Sequence, residues 1–223
     1  MDKRLLKDAI IKYLSGVVIL GMLIFIPAGS FDYMQGRLLM AVLFIPMFCA
    51  GIVMMVKAPD LLRKRLDAKE EQSEQKAVIL ASGIMFISSF VIAGLSFRFG
   101  RAMLPESISY AAAIVFLIGY ALFAEVLREN AYLSRTVEVQ ENQKVIDTGL
   151  YGIVRHPMYL STLLLFLSMP LILGSAVSFL IMLLYIPIIA KRIRGEEEFL
   201  EQGLEGYREY KERVKYKVIP YIW

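Results

Sequence analysis

The chain has 223 residues, of which 57% are hydrophobic, and a formal net charge of +4. A soluble domain is nearer half apolar and scatters its apolar residues along the chain. Here they come in long uncharged blocks, and about 20 consecutive apolar residues are enough for a helix to cross a bilayer. The composition therefore excludes an ordinary soluble domain and predicts an all-α integral membrane protein.

Six membrane-spanning helices are predicted from these blocks. The blocks lie at 13–30, 38–56, 77–97, 107–124 and 157–190. The last block is too long for one ordinary span and short for two. Because Gly174 and Ser175 fall at its middle, we predict two short helices joined by a tight turn. Pro170 and Pro187 are expected to kink them, which is tolerated where neighbouring groups satisfy the backbone.

The basic residues predict the orientation of the six spans. Of the 25 Lys and Arg residues, 22 fall on the N-terminal segment, the second and fourth loops and the C-terminal segment, and three fall on the other side. The positive-inside rule then places both termini and the long loops in the cytoplasm, as in a multi-pass protein of the cytoplasmic membrane. The net positive charge suits anionic lipid headgroups, so no nucleic-acid partner is expected.

The N-terminal segment has an alternative interpretation, and the single cysteine limits the chemistry of the chain. Basic residues before an apolar run, followed by the small residues at 28–30, also fit a signal peptide, but we favour a retained first span. Cys49 is the only cysteine and lies within a span, so neither a disulfide framework nor a metal site is predicted.

The chain divides into two regions of one integrated domain. Residues 1–129 are predicted to form a four-helix transmembrane region. Residues 130–223 hold a polar loop, the helical hairpin and a charged C-terminal helix. The second loop, at 57–76, is predicted to contain a charged helix lying on the lipid headgroups.

The only histidine, His156, stands in Arg155-His156-Pro157-Met158-Tyr159. Proline favours the first turn of a helix, so a helix is predicted to begin at Pro157. His156 would then lie at a helix N-terminus, where free N–H groups and the helix dipole favour an anion such as a carboxylate. In the alternative interpretation, Arg155 and His156 lie among the headgroups and Tyr159 belongs to an aromatic belt.

The C-terminal segment carries a complementary pattern. Arg192 and Glu196 are four residues apart, on one face of a helix. An apolar stripe continues with Leu200, Leu204 and Tyr207. The more polar positions are Glu197, Glu201, Arg208, Lys211 and Glu212. The pattern predicts an amphipathic helix that covers a pocket at the membrane surface, or alternatively an interfacial helix held by its own ion pairs.

Together these motifs resemble the isoprenylcysteine carboxyl methyltransferase family, its prokaryotic relatives and the related phospholipid N-methyltransferases. The resemblance covers about residues 136–223. It rests on the stretch from Val145 to Tyr159, on Arg192 with Glu196-Glu197, and on Tyr207-Arg208-Glu209-Tyr210. It implies S-adenosylmethionine as cofactor, with Arg192 and Glu196 at the catalytic centre and Arg192 binding the substrate. The cofactor contacts that it implies are Gln140, Gln143, Lys144, Val145, Ile146, Gly149, Tyr151, His156, Pro157, Met158, Tyr159 and Glu196.

The sequence therefore predicts a membrane methyltransferase. Methyl transfer from a sulfonium needs positioning more than acid–base help. The acceptor is expected to be lipophilic or amphiphilic, with a carboxylate, an amine or a thiol, bound at the cytoplasmic face of the bilayer. Two alternatives remain: a membrane reductase of related fold that uses a nicotinamide cofactor, and a non-catalytic membrane scaffold.

Overall fold

The computed structural model describes residues 2–67, 73–130, 132, 139 and 142–223. These residues form nine α-helices and one short 3-10 helix, and no strand is found among them. The α-helices are α1 (Lys3–Ala28), α2 (Met34–Lys57), α3 (Pro59–Asp67), α4 (Ser73–Phe99), α5 (Glu106–Glu129), α6 (Pro157–Ile172), α7 (Ala176–Met182), α8 (Tyr185–Gly203) and α9 (Tyr207–Arg213). The 3-10 helix spans Gly149–Gly152.

Five helical segments of the described residues are long and apolar enough to cross a membrane. They are Lys3–Ala28, Met34–Lys57, Ile79–Phe99, Glu106–Glu129 and Ala176–Gly203. The remaining predicted span is α6, an apolar helix of 16 residues. At 1.5 Å per residue it is about 24 Å long, which is less than the thickness of the hydrocarbon core. The prediction of an all-α integral membrane protein is confirmed, with a short first arm in its last hairpin.

The hairpin turns where the sequence predicts, at Gly174 and Ser175. Gly174 has a φ of +68°, which favours glycine, and the Ser175 side chain caps α7 by accepting from the N–H of Ser178 at 3.2 Å. The second arm is interrupted between α7 and α8. Pro187 lies four residues after Leu183, where the chain leaves α7. In a continuous helix the N–H of residue 187 would donate to the carbonyl of Leu183. Proline has no N–H, so Pro187 itself explains the break between α7 and α8.

Close helix contacts in the bundle depend on small residues. A Cβ added at Gly94 of α4 would lie 2.5 Å from the carbonyl oxygen of Ile24 in α1, so only glycine permits this approach. Between α4 and α7, the hydroxyl groups of Ser89 and Ser178 lie 2.7 Å apart in a buried contact. Membrane helices associate in this way because small residues let backbones meet and buried hydroxyls bond across the interface.

The chain segments that build the site gather at one end of the bundle. There α3 packs against the start of α1, with Arg63 bonded to Asp2 at 2.9 Å. The end of α5 meets the 3-10 helix, and the C-terminal segment lies across the start of α6. At the opposite end the connections are short. The backbone N–H of Leu104 bonds to the carbonyl of Gly174 there, at 2.8 Å.

The structure corrects two expectations for the C-terminal helix. The helix that carries Arg192 and Glu196 is α8, which belongs to the last arm of the hairpin and ends at Gly203. A separate helix, α9, follows Gly206, whose φ is +81°. Glu197 was expected on the polar face, but it is buried. It continues the buried stripe of Ile189 and Ile193 at four-residue intervals, so it faces the protein interior.

Candidate functional site

A pocket opens at the end of the bundle where the long connections meet. The space between its walls is about 840 Å³ and includes open solvent. It lies between a buried cluster around α6 and α8 and a smaller one around α9. The lining residues are Asn130, Tyr132, Gln143, Lys144, Val145, Ile146, Tyr151, Arg155, His156, Met158, Tyr159, Arg192, Glu196, Leu200, Leu204, Tyr207 and Tyr210.

The turn at Gly149 fixes Tyr151 in the pocket wall. Gly149 has a φ of +50°, and a Cβ there would overlap the carboxylate of Glu129 at the end of α5. The same carboxylate accepts from the backbone N–H of Leu150 at 3.0 Å. Tyr151 then lies buried, with its hydroxyl 3.0 Å from the side-chain nitrogen of Asn130. Burial raises the pKa of Tyr151 to about 12, so the hydroxyl stays protonated at neutral pH.

His156 is the residue that precedes α6, as the sequence predicts, but it is buried rather than spread among headgroups. Its side chain is only 4% exposed. Nε2 lies 3.2 Å from a carboxylate oxygen of Glu197, and Nδ1 lies 4.0 Å from Glu196. Since a carboxylate only accepts hydrogen bonds, Nε2 donates to Glu197, and Nδ1 is the nitrogen beside Glu196.

Arg192 and Glu196 meet in the pocket through Tyr159. The Tyr159 hydroxyl donates to the Glu196 carboxylate, and Nε of Arg192 donates to the Tyr159 hydroxyl oxygen at 3.2 Å. The result is a short line of polar groups at the depth where α6 and α8 leave the apolar core. A cation and an anion are thereby held on the same wall, one helical turn apart.

A buried ionic cluster behind this wall centres on Glu197. Its carboxylate lies 2.8 Å from Nε of Arg155 and 3.0 Å from Nζ of Lys217. Arg155 also donates from Nη1 to the carbonyls of Val214 and Lys215. The cluster therefore connects α8, the start of α6 and the C-terminal segment, and it satisfies charges that burial would otherwise make costly.

Two buried tyrosines of α9 complete the wall and differ in how their hydroxyls are satisfied. The Tyr210 hydroxyl donates to the backbone carbonyl of Tyr151 at 2.8 Å. The Tyr207 hydroxyl is buried without a hydrogen-bond partner in the part of the chain that the structure describes. Burial raises the pKa of both phenols. An unsatisfied buried hydroxyl in a pocket wall needs an explanation, and a ligand is one.

The structure places most of the sequence-predicted residues around this one pocket. Gly149 and Pro157 support the wall from behind, Gly149 at the turn and Pro157 as the buried first residue of α6. Gln140 lies outside the described residues. The members of the predicted set that line the pocket are Gln143, Lys144, Val145, Ile146, Tyr151, His156, Met158, Tyr159, Arg192 and Glu196.

The sequence did not predict several residues of the pocket wall and of the cluster behind it. Asn130 and Tyr132 follow α5, and no local pattern marks them. Glu197 had a signal, because it continues the spacing of Tyr185, Ile189 and Ile193. A carboxylate on a buried stripe predicts a buried cationic partner, and Arg155 is that partner.

The region around the pocket is similar to parts of known proteins. A family model of phospholipid methyltransferases matches residues 107–205, which include α6, α7 and α8 and most of α5. The Delta(14)-sterol reductase of Mus musculus is 30% identical over 91 residues, which are 40% of this chain and 22% of the reductase. The alignment thus spans about a fifth of that relative's length.

Proposed function

We propose that the chain is an integral membrane methyltransferase that uses S-adenosylmethionine and methylates a lipophilic or amphiphilic acceptor. The observation that carries the proposal is the pocket wall formed by His156, Tyr159, Arg192 and Glu196, placed where the apolar helices end. The match of residues 107–205 to phospholipid methyltransferases supports it. The motifs of about residues 136–223 further favour a relative of the isoprenylcysteine carboxyl methyltransferases.

The donor set fits the chemical groups of S-adenosylmethionine. Glu196 offers a carboxylate for an ammonium or for ribose hydroxyls. Tyr151 and Tyr159 offer aromatic faces to an adenine or a sulfonium, which cation–π attraction favours. The unsatisfied Tyr207 hydroxyl offers one more hydrogen bond. Residues Gln143 to Ile146 line the pocket as a segment without regular secondary structure, which can lie along a bound ligand.

The bound cofactor supplies an activated methyl group, and the protein supplies position. Methyl transfer is an in-line displacement, so holding acceptor and donor in one geometry gives most of the rate gain. Arg192 would hold an anionic group of the acceptor, because a guanidinium binds carboxylate or phosphate with two prongs. The residues of α6 and α8 below the pocket are apolar, which suits an acceptor that carries a hydrocarbon chain.

We further propose that the pocket faces the cytoplasm. The basic N-terminal segment, α3 and the C-terminal segment lie at its end of the bundle, and the positive-inside rule assigns such an end to the cytoplasmic side. Residues 130–223 would carry the cofactor and the acceptor, and residues 1–129 would provide the membrane framework, with α5 ending at the pocket.

The test is binding and turnover with defined cofactors. Purified protein in detergent should bind S-adenosylmethionine in calorimetry, and membranes incubated with the methyl-labelled cofactor should yield a labelled lipid-soluble product. The similarity to a sterol reductase makes a nicotinamide-dependent reductase the second candidate. Binding of reduced nicotinamide cofactor in place of S-adenosylmethionine would select that candidate, and binding of neither would reject both.

A further inference from the structure

We propose that Glu197 is a positioning residue of this pocket, which holds the His156 imidazole with Nε2 turned inward and Nδ1 turned to the ligand. The inference rests on the proposed function, since it concerns the ligand of the same site. Glu196, the first glutamate of the Glu-Glu pair, lines the pocket, whereas Glu197 lies behind the wall.

The geometry around Glu197 leaves the imidazole little choice of orientation. One carboxylate oxygen lies 3.2 Å from Nε2 of His156 and 2.8 Å from Nε of Arg155. The other oxygen lies 3.0 Å from Nζ of Lys217. The Glu197 side chain is 4% exposed, so water does not compete for these bonds.

The backbone of His156 is fixed by the same assembly. The N–H groups of Arg155 and His156 donate to the carbonyls of Tyr216 and Lys217, at 2.9 and 2.7 Å. These backbone bonds thus hold the main chain of His156, and Glu197 holds its side chain. A histidine secured at both points presents one nitrogen, in one direction, to the pocket.

Nδ1 is the ring nitrogen of His156 that does not contact Glu197, and its protonation determines which partner it binds. With its hydrogen on Nε2, a neutral imidazole has an acceptor at Nδ1. Nδ1 stands 4.0 Å from Glu196, whose carboxylate also accepts. Two acceptors side by side bind a donor such as an ammonium. We therefore place the ammonium of the bound cofactor's amino-acid moiety at His156 and Glu196, rather than its carboxylate.

His156 is the only histidine in the chain, so nitrogen labelling of histidine gives a spectrum of this ring alone. In the full-length protein without cofactor, Nε2 should carry the hydrogen, and that hydrogen should exchange slowly with water. Glu197→Asp keeps the charge that Arg155 needs but withdraws the oxygen from Nε2, so the slow exchange should be lost. The matched control is Glu198→Asp at the next, exposed position, which should leave the ring signals unchanged.

Calorimetry with S-adenosylmethionine completes the test. Glu197→Asp should weaken binding roughly five- to tenfold, as expected for the loss of one well-placed hydrogen bond, while Glu198→Asp should not change it. Lys217→Gln breaks the ion pair to the C-terminal segment and leaves the contact with His156. It should lower the thermal unfolding temperature without weakening binding.

The outcomes separate the inference from the function. If wild type binds S-adenosylmethionine and Glu197→Asp binds it equally well, the positioning role is overturned and the proposed function stands. Equal weakening by Lys217→Gln and Glu197→Asp would make the cluster merely structural and would also overturn it. If wild type does not bind S-adenosylmethionine, the proposed function fails, and the placement of the ammonium fails with it.

Discussion

At the scale of single residues, Tyr207 and Tyr210 offer a matched pair. Both are buried in α9 and line the pocket, but only Tyr210 has its hydroxyl satisfied by the protein, through the carbonyl of Tyr151. Removing a satisfied buried hydroxyl costs about 0.5–1.5 kcal/mol, whereas removing an unsatisfied one is neutral or favourable. Tyr210→Phe should therefore destabilise the ligand-free protein, whereas Tyr207→Phe should not.

Tyr207→Phe should leave the thermal unfolding temperature of the ligand-free protein unchanged or raise it, and should weaken S-adenosylmethionine binding severalfold. Tyr210→Phe should lower that temperature. Differential scanning fluorimetry in detergent and calorimetry measure the two effects. A Tyr207→Phe protein destabilised as much as Tyr210→Phe would place the Tyr207 hydroxyl in a structural hydrogen bond instead of a ligand site.

Arg192 and Glu196 should fail in different ways when they are replaced. Glu196→Gln removes the charge that faces the cofactor but keeps the shape, so S-adenosylmethionine binding should weaken about tenfold. Arg192→Lys should keep cofactor binding and lose turnover, because lysine cannot reproduce the two-pronged grip of a guanidinium. Calorimetry and a methyl-transfer assay separate the two losses.

The contrary outcome for this pair is equally specific. If the two side chains served only as a surface ion pair along the helix, each substitution would cost about 0.3–0.5 kcal/mol of stability. Cofactor affinity and turnover would then stay close to wild type in both variants, and the pocket wall would have no role in the reaction.

At the scale of elements, the turn at Gly149 determines whether the 3-10 helix docks on α5. Gly149→Ala places a methyl group into the Glu129 carboxylate and strains a φ of +50°. Gly100→Ala is the matched control, because Gly100 has a φ of +61° but open space around its Cβ position. The difference between the two variants isolates the contact with Glu129 from the strain of the backbone.

Gly100→Ala should cost about 1–2 kcal/mol from backbone strain alone. Gly149→Ala should cost about 1–3 kcal/mol more, because Glu129 must release the N–H of Leu150, and it should also weaken cofactor binding by displacing Tyr151. Thermal unfolding and calorimetry in the same detergent provide both measurements. Equal losses in the two variants, with cofactor binding intact, would show that the docking onto α5 does not shape the pocket.

Sequence patterns predicted the elements well where the cause was local. Uncharged blocks located the spans, Pro157 located the start of α6, and Gly174 located the turn of the hairpin. The break between α7 and α8 also follows from Pro187. The end of α8 at Gly203 was not predicted, because the amphipathic pattern continues across the residues that separate α8 from α9.

At the scale of the whole molecule, the sequence predicted the motifs of the site but not how the fold brings them together in space. The motifs around His156 and around Arg192 are about 40 residues apart, and no periodicity shows that α6 and α8 bring them together. The C-terminal segment that crosses His156 does so through backbone hydrogen bonds, which leave no trace in residue type. Glu197 was wrongly predicted on the polar face, although its four-residue spacing from Ile189 and Ile193 along α8 favours burial.

Orientation in the membrane is the property of the whole molecule that is most open to direct test. We predict that the pocket and the C-terminal segment face the cytoplasm and that the connection between α1 and α2 faces outward. The reason is that 22 of the 25 basic residues fall in the N-terminal segment, the second and fourth loops and the C-terminal segment of the sequence. Single cysteines at Glu212 and Asp32 in a Cys49→Ala background report the two sides. Both positions are exposed and neither has a positive φ, so the substitutions should leave the fold intact. In intact cells a membrane-impermeant maleimide should label the cysteine at Asp32 and spare the one at Glu212 until the membrane is opened. The reverse labelling pattern would show that the protein lies in the bilayer in the opposite orientation, so that a cofactor would have to reach the pocket from the outer side.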